Sequence, residues 1–527
     1  MKKLLSINNL KKYFPIAKSS LFQKKQLYVR ANEDISIDIF EGETFGLVGE
    51  SGCGKSTLGR VLLQIYDQTA GTSMYYGRTL DELAPSYVFD TLKKSEVYIE
   101  KLRKAEEKAK TLTEKCDALG DEASFFDIQE KNLAVADAKR ALDNAVKILG
   151  GFLAVDTKNG AALLLERYNY AVRVAALNEN ISDTELLMDV GDGKSISEAK
   201  ATKLKARVQK LTAERDRLSS LIDATDKKIS QLKALYSKDE KFAEYEAMLD
   251  NGVDLSRLTK SEMRLLRKDL QIIFQDPYSS LNPRMTVGQI IEEGLITHKF
   301  FKPGSPKMKE YVFKVMQSCG LQNYMYNRYP HQFSGGQRQR ICIARALAVN
   351  PKFVVCDECV SALDVSIQSQ IINLLQELKE QEKLTYLFIS HNLSVVRYIS
   401  DRIGVMYLGN MVEVADTDTL FKDPRHPYTI ALLSSIPTTD PDSLSKERII
   451  LEGNIPSPIR PPSGCKFHTR CYMACEKCKR VPPPLTEVEP GHFVACHVLD
   501  KKLDEHGNYL FEIPDAQKTV RANDRAN

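Results

Sequence analysis

Apolar residues recur along this chain with two different periods, and the change from one to the other divides it. Ile35, Ile37 and Ile39 alternate with polar neighbours, as in a half-buried strand, whereas 45–48 (FGLV) run as a strand buried on both faces does. A helix is predicted from Lys55. Further buried strands are predicted at 353–356 (FVVC) and 386–389 (YLFI). Between about 78 and 252 the period lengthens. Tyr98, Leu102, Ala105, Ala109, Leu112, Cys116 and Leu119 step by four and three, and so do Leu204, Val208, Leu211, Arg215, Leu218, Ile222, Thr225, Ile229, Leu232 and Tyr236. The two heptad runs predict an antiparallel helical hairpin. The same stripe arises whether such helices pack on a globular body or project as a coil. Helices of about 20 to 35 residues would reach roughly 30 to 50 Å.

The expected organisation is an α/β core in two pieces, 1–77 and 253–424, with a largely helical insertion at 78–252. A Pro- and Cys-rich C-terminal region follows at 425–527, and its polar end, 516–527, is expected to fray. A chain of 527 residues, 43% hydrophobic and 27% charged, is long enough for two or three units and apolar enough to bury a core. Its 74 basic and 70 acidic residues nearly cancel. Bulk charge therefore gives no reason to expect a nucleic-acid partner. No run of about 18 apolar residues occurs, and residues 1–10 lack the apolar centre of a signal peptide, so a cytoplasmic chain is expected. Eleven cysteines without such a signal point to thiols or metal ligands before disulfides.

The stretch Gly49-Glu50-Ser51-Gly52-Cys53-Gly54-Lys55-Ser56-Thr57 has the spacing of a phosphate-binding loop. Small residues let backbone N–H groups turn toward phosphates, and the following helix N-terminus adds favourable partial charge. Lys55 would reach the β and γ phosphates of ATP, and Ser56 would ligate Mg²⁺.

The stretch "YPHQFSGGQRQRICIARALAVNPKFVVCDECVSALD" resembles the defining region of ABC ATPases. That resemblance implies an ABC-type P-loop head and assigns roles to several residues. Ser334, Gly335, Gly336 and Gln337 match the signature, which meets the nucleotide held by a partner subunit. Asp357 would join the Mg²⁺ shell and Glu358 would act as general base. Cys359 stands where the family usually has proline. Ser361, Ala362, Leu363 and Asp364 match the loop linking two composite sites. His391 matches the switch histidine, and Gln275 the glutamine that senses Mg²⁺ and touches the membrane partner. Tyr13 is the aromatic expected to stack on adenine, with Tyr28 competing.

At "QDPYSSLNPRMTVGQIIEEGL", "HNLSVVRYISDRIGVMYLGNMVE" and "DPRHPYTIALLSSIP" the resemblance narrows to the ATPase subunits of oligopeptide and dipeptide importers. The chain looks more like the second ATPase of such a pair. The resemblance implies peptide import powered from the cytoplasmic face of the membrane, with a related second ATPase, two transmembrane permease subunits and, indirectly, an extracellular peptide-binding protein. "EGNIPSPIRPPSGCKFHTRC" resembles the same group's C-terminal region, where four cysteines can hold a [4Fe–4S] cluster. Cys465, Cys471, Cys478 and Cys496 are those positions here, with Zn²⁺ as the competing metal, and Cys475 leaves the third ligand open. Two rival readings remain. One is an importer of another cargo, such as a dipeptide, a glycopeptide or nickel. The other is a soluble coiled-coil ATPase acting on DNA, although in that class the coil leaves the head after the glutamine loop, whereas here it lies between Lys55 and Gln275.

Overall fold

The computed structural model describes residues 2–17, 26–120, 124–188, 198–436 and 449–498. The polar end at 516–527 lies outside them. In chain order the first strands are β1 (Lys3–Pro15), β2 (Tyr28–Phe40), β3 (Thr44–Val48), β4 (Ala70–Tyr75), β5 (Val253–Asp254) and β6 (Leu270–Ile273). After them come β7 (Phe353–Asp357), β8 (Thr385–Ile389), β9 (Arg402–Tyr407), β10 (Asn410–Asp416), β11 (Thr486–Glu489) and β12 (His492–Val494). An antiparallel sheet has the order β2-β1-β4-β5, and a mixed one the order β11-β12-β10-β9-β3-β8-β7-β6. From β9 to β6 neighbouring strands are parallel.

The run of consecutive apolar residues in the central strands now has its reason. On β7 and β8, Phe353, Val355, Leu387 and Ile389 face the core shared with the antiparallel sheet and the helix Lys55–Leu62. Their neighbours Val354, Cys356, Tyr386 and Phe388 face a second core built with the helices Val287–Thr297, Gly335–Leu347 and Val365–Glu382. A parallel sheet covered on both faces has no polar side to show. The N-terminal strands are longer than short strands and turns would suggest. β1 and β2 pair through register shifts that keep Ile7 opposite Ile37 and Leu10 opposite Ile35.

The heptad helices differ from expectation in their partners. The first run lies on the helix Ser95–Leu119 and the second, up to Leu232, on Glu198–Leu235, but they do not pair with each other. Ser95–Leu119 pairs with Phe125–Leu149, and Glu198–Leu235 with Thr157–Met188. Each helix thus folds back on its neighbour in the chain, because closing a short connection costs less entropy than a distant one. These hairpins also touch the body. Arg257 donates to the Asn144 carbonyl at 2.9 Å and Lys299 lies 3.1 Å from Asp183, while within the insertion Arg167 forks Asp81 with two bonds of 2.8 Å and reaches Asp226 at 2.6 Å. Among the described residues, no single helix is long and apolar enough to cross a membrane.

Candidate nucleotide site

The sheet edge where β3 ends carries the loop. After Val48 the chain turns through Gly49 and reaches the helix Lys55–Leu62 at Gly54. Both glycines are required by space. Gly49 has φ 148° and a Cβ there would lie 2.2 Å from the Met406 carbonyl oxygen; Gly54 has φ 103° and a Cβ would lie 2.1 Å from that of Ala31. The side chain of Asn32, buried on β2, donates to the Gly54 carbonyl at 3.1 Å. The loop is therefore pinned between β2 and the end of β9. Ser51 and Gly52 are exposed, Cys53 is buried, and Thr57 is half-buried.

Lys55 is 5% exposed, and its ammonium donates to the carbonyls of Gly49 at 2.7 Å and Glu50 at 3.1 Å. One residue further, the Ser56 hydroxyl donates to Asp357 at 2.5 Å. Asp357 closes β7, which the sheet order places two strands from β3. A hydroxyl and a carboxylate at this spacing are hard oxygen donors of the kind Mg²⁺ takes, so the residues fit that ion. Arg60, which no sequence motif marked, lies 3.4 Å from the other Asp357 oxygen.

Glu358, Gln275 and His391 come together around one carboxylate. Gln275 donates to Glu358 at 2.9 Å, and the His391 ring nitrogen lies 3.6 Å from the same oxygen. Gln275 is thus on Glu358 and not on the Ser56–Asp357 pair that its expected Mg²⁺ role would favour. Glu358 has φ 48°, a left-handed conformation that costs a non-glycine residue roughly 1–2 kcal/mol. Strain of this kind clusters at functional sites. Its backbone is held by the Ile389 carbonyl at 3.0 Å and by Ser361, whose hydroxyl donates to the Glu358 carbonyl at 2.9 Å. Cys359 is buried with its thiol against Cys356, so packing restrains the chain where the family usually has proline.

Ser334 caps the helix Gly335–Leu347, its N–H donating to the Gln337 side chain at 3.1 Å and its hydroxyl accepting from the Gln337 N–H at 3.4 Å. Ser334 and Gly335 are exposed and Gly336 half-buried, which leaves this helix start open to another molecule. Leu363 is half-buried, whereas Ala362 and Asp364 are exposed, with Asp364 preceding the helix Val365–Glu382.

Two expectations meet difficulty. Tyr13 is 7% exposed, its hydroxyl bonded to Glu33 and its ring 5.6 Å from the Arg30 guanidinium. That ring is enclosed, whereas Tyr28, 6.4 Å from it between ring centroids, is half-buried. The cysteines gather in kind but not in placement. Cys465 donates its N–H to the Cys478 carbonyl at 2.8 Å, and the sulfurs of Cys475 and Cys478 are 3.4 Å apart. Burial, reinforced by neighbouring thiols, pushes the thiols of Cys471 and Cys496 up to about 12. Among the described residues, no three His, Cys, Asp or Glu side chains are placed to hold one ion. Four thiols suit iron or zinc chemically.

A strand, a phosphate loop, a Ser56–Asp357 pair, a strained glutamate and an open signature helix together define an ABC-type ATPase head. The chain belongs to the ABC transporter family, which it matches over residues 32–162 and 228–361, and it is an ATPase of that family. Residues 412–478 match the C-terminal region of oligopeptide/dipeptide transporters. Oligopeptide transport ATP-binding protein AppF of Bacillus subtilis (strain 168) is 53% identical over 253 residues, 48% of this chain and 76% of its own length. Oligopeptide transport ATP-binding protein OppF of Haemophilus influenzae is 50% identical over 248 residues, 46% of this chain and 74% of its own.

Proposed function

We propose that this chain hydrolyses ATP to drive an ABC importer for oligopeptides from the cytoplasmic face of the cell membrane. The observation that carries this reading is the match of residues 412–478 to the oligopeptide/dipeptide transporter C-terminal region, on the same chain as the nucleotide site. Relatives named as oligopeptide transport ATP-binding proteins support it.

In this reading Lys55 leaves the Gly49 and Glu50 carbonyls for the β and γ phosphates. Ser56 and Asp357 hold Mg²⁺, which when bound neutralises charge on those phosphates. Glu358 takes the proton of the attacking water, while Gln275 and His391, both within reach of its carboxylate, orient water and γ-phosphate. The Ser334–Gln337 segment completes the site of a partner ATPase, and that closure is passed through the Gln275 region to the permease subunits. The partners are a related second ATPase, two transmembrane subunits and, indirectly, an extracellular peptide-binding protein.

The division into 1–77 with 253–424, a helical insertion at 78–252 and a C-terminal region is part of the same proposal. The family match is interrupted inside that segment, between residues 162 and 228. The insertion is a docking arm for a regulator or a cap on the head and the partner ATPase, and deleting 78–252 with a short linker separates the two: retained assembly and ATPase activity with lost regulation favours docking, an insoluble product the cap. Cys465, Cys471, Cys478 and Cys496 hold [4Fe–4S] or Zn²⁺, and iron and zinc analysis of anaerobically purified chain tests for either.

The deciding experiment is to tag the chain in its native cell, solubilise membranes in mild detergent and identify what co-purifies. Two polytopic membrane proteins, a related ATPase and a peptide-binding protein are expected. Recovery in the soluble fraction alone, or with DNA, would overturn the importer reading, and a binding protein for another solute would replace the cargo.

A further inference from the structure

The phosphate loop has a support that lies far outside its own motif. Glu50, the residue after Gly49, is held at three points. Its N–H donates to the Tyr428 hydroxyl at 2.9 Å, its carbonyl accepts from Lys55 at 3.1 Å, and its carboxylate accepts two bonds from the Arg470 guanidinium at 2.8 and 3.2 Å. Two of these holds come from residues 378 and 420 positions further along the chain.

Arg470 is 8% exposed and sits 6.0 Å from the Tyr407 ring. Tyr407, Tyr428 and Phe467 pack against one another with centroids 4.8 to 5.3 Å apart, so the platform beneath the guanidinium and the Tyr428 hydroxyl is one packed unit. A two-bond guanidinium–carboxylate pair fixes direction as well as charge. Here it fixes the residue whose carbonyl is one of the two on which Lys55 rests.

We propose that Arg470 is a positioning residue for the nucleotide: by orienting Glu50 it sets the backbone of the phosphate loop and the resting place of Lys55. The segment between Cys465 and Cys471 thereby adjusts affinity for MgATP. This inference rests on the nucleotide site alone, so it is tested apart from the peptide cargo.

The test is calorimetric titration of the purified full chain with MgATP, joined to KM and kcat for the assembled complex. Arg470→Gln is expected to weaken MgATP binding about tenfold and to raise KM in step, with kcat held within about threefold. Arg470→Lys, which keeps the charge but not the fork, should fall between that variant and the parent. Glu50→Gln should weaken binding by a similar factor, and the double variant should be no weaker than the worse single, because both changes break the same pair. MgATP affinity of Arg470→Gln within about twofold of the parent would overturn the proposal, as would losses that multiply in the double variant. Should Arg470→Gln fail to fold, Glu50→Gln decides the matter, since it removes only the carboxylate charge: unchanged affinity overturns the proposal and weakened affinity with Arg470→Lys intermediate sustains it.

Discussion

Replacing Glu358 by glutamine separates binding from hydrolysis in a way the structure makes calculable. The backbone at this position is held independently of the side chain, by the Ile389 carbonyl at 3.0 Å and by the Ser361 hydroxyl at 2.9 Å. Glutamine has the same shape, and its amide oxygen can still accept the Gln275 bond of 2.9 Å. The variant should therefore fold as the parent does, and the Lys55 loop should bind MgATP with affinity changed by less than about threefold. What is lost is a group able to take a proton from water. General-base catalysis contributes about 10² to 10⁴ in rate, or about 3 to 5 kcal/mol of barrier at 1.36 kcal/mol per tenfold. Phosphate release by the assembled complex at saturating MgATP is the assay, with calorimetric MgATP titration as its control. Turnover within about threefold of the parent would remove Glu358 from the role of base.

Two other changes probe the site and the region behind it. Gly54→Ala places a Cβ 2.1 Å from the Ala31 carbonyl at φ 103°, so a loss of about 1–3 kcal/mol in stability and at least about tenfold in MgATP affinity is expected. Gly42→Ala, at φ 78° with nothing within 4 Å of the new atom, should lower the melting temperature without touching affinity; equal effects on affinity would refute the steric account. His426 is buried, accepts the Tyr428 N–H at 3.1 Å, and is pushed by burial from its ordinary 6.5 down to about 4. The unfolded chain takes up this proton below pH 6.5 and the native chain does not until about pH 4, so stability is full above that window and is lost as pH falls through it. Between pH 7.5 and 5 the loss is about 2 kcal/mol. His426→Asn, which keeps a capping acceptor, should flatten that part of the curve, and denaturant titrations with the same slope as the parent would show the cause to lie elsewhere.

Much of the site was legible because its chemistry is local. A phosphate loop needs small residues at fixed offsets between a buried strand and a helix, and Gly49, Gly54, Lys55 and Ser56 announce all of this within nine positions. The apolar runs before Asp357 and His391 predicted β7 and β8 because a parallel sheet covered on both faces leaves only apolar positions. The helical period between 78 and 252 was equally plain. Periodicity states that a helix has an apolar face but not what covers it, and so the expected pairing of the two heptad runs gives way to pairing of each helix with its neighbour in the chain. Tyr13 and Tyr28 are both aromatic residues near the N-terminus, and nothing in their spacing says that Glu33 and Arg30 enclose the first.

By itself, then, the sequence determined the nucleotide chemistry, the strands that carry it and the family resemblance, since these depend on residues within a few positions of one another. Only the tertiary structure decided which helices pair, which carboxylate Gln275 touches, and that Arg470 grips Glu50. Each of those is a contact between segments whose meeting depends on strand order and packing of the whole chain, and such a meeting leaves no mark in the local pattern of either segment.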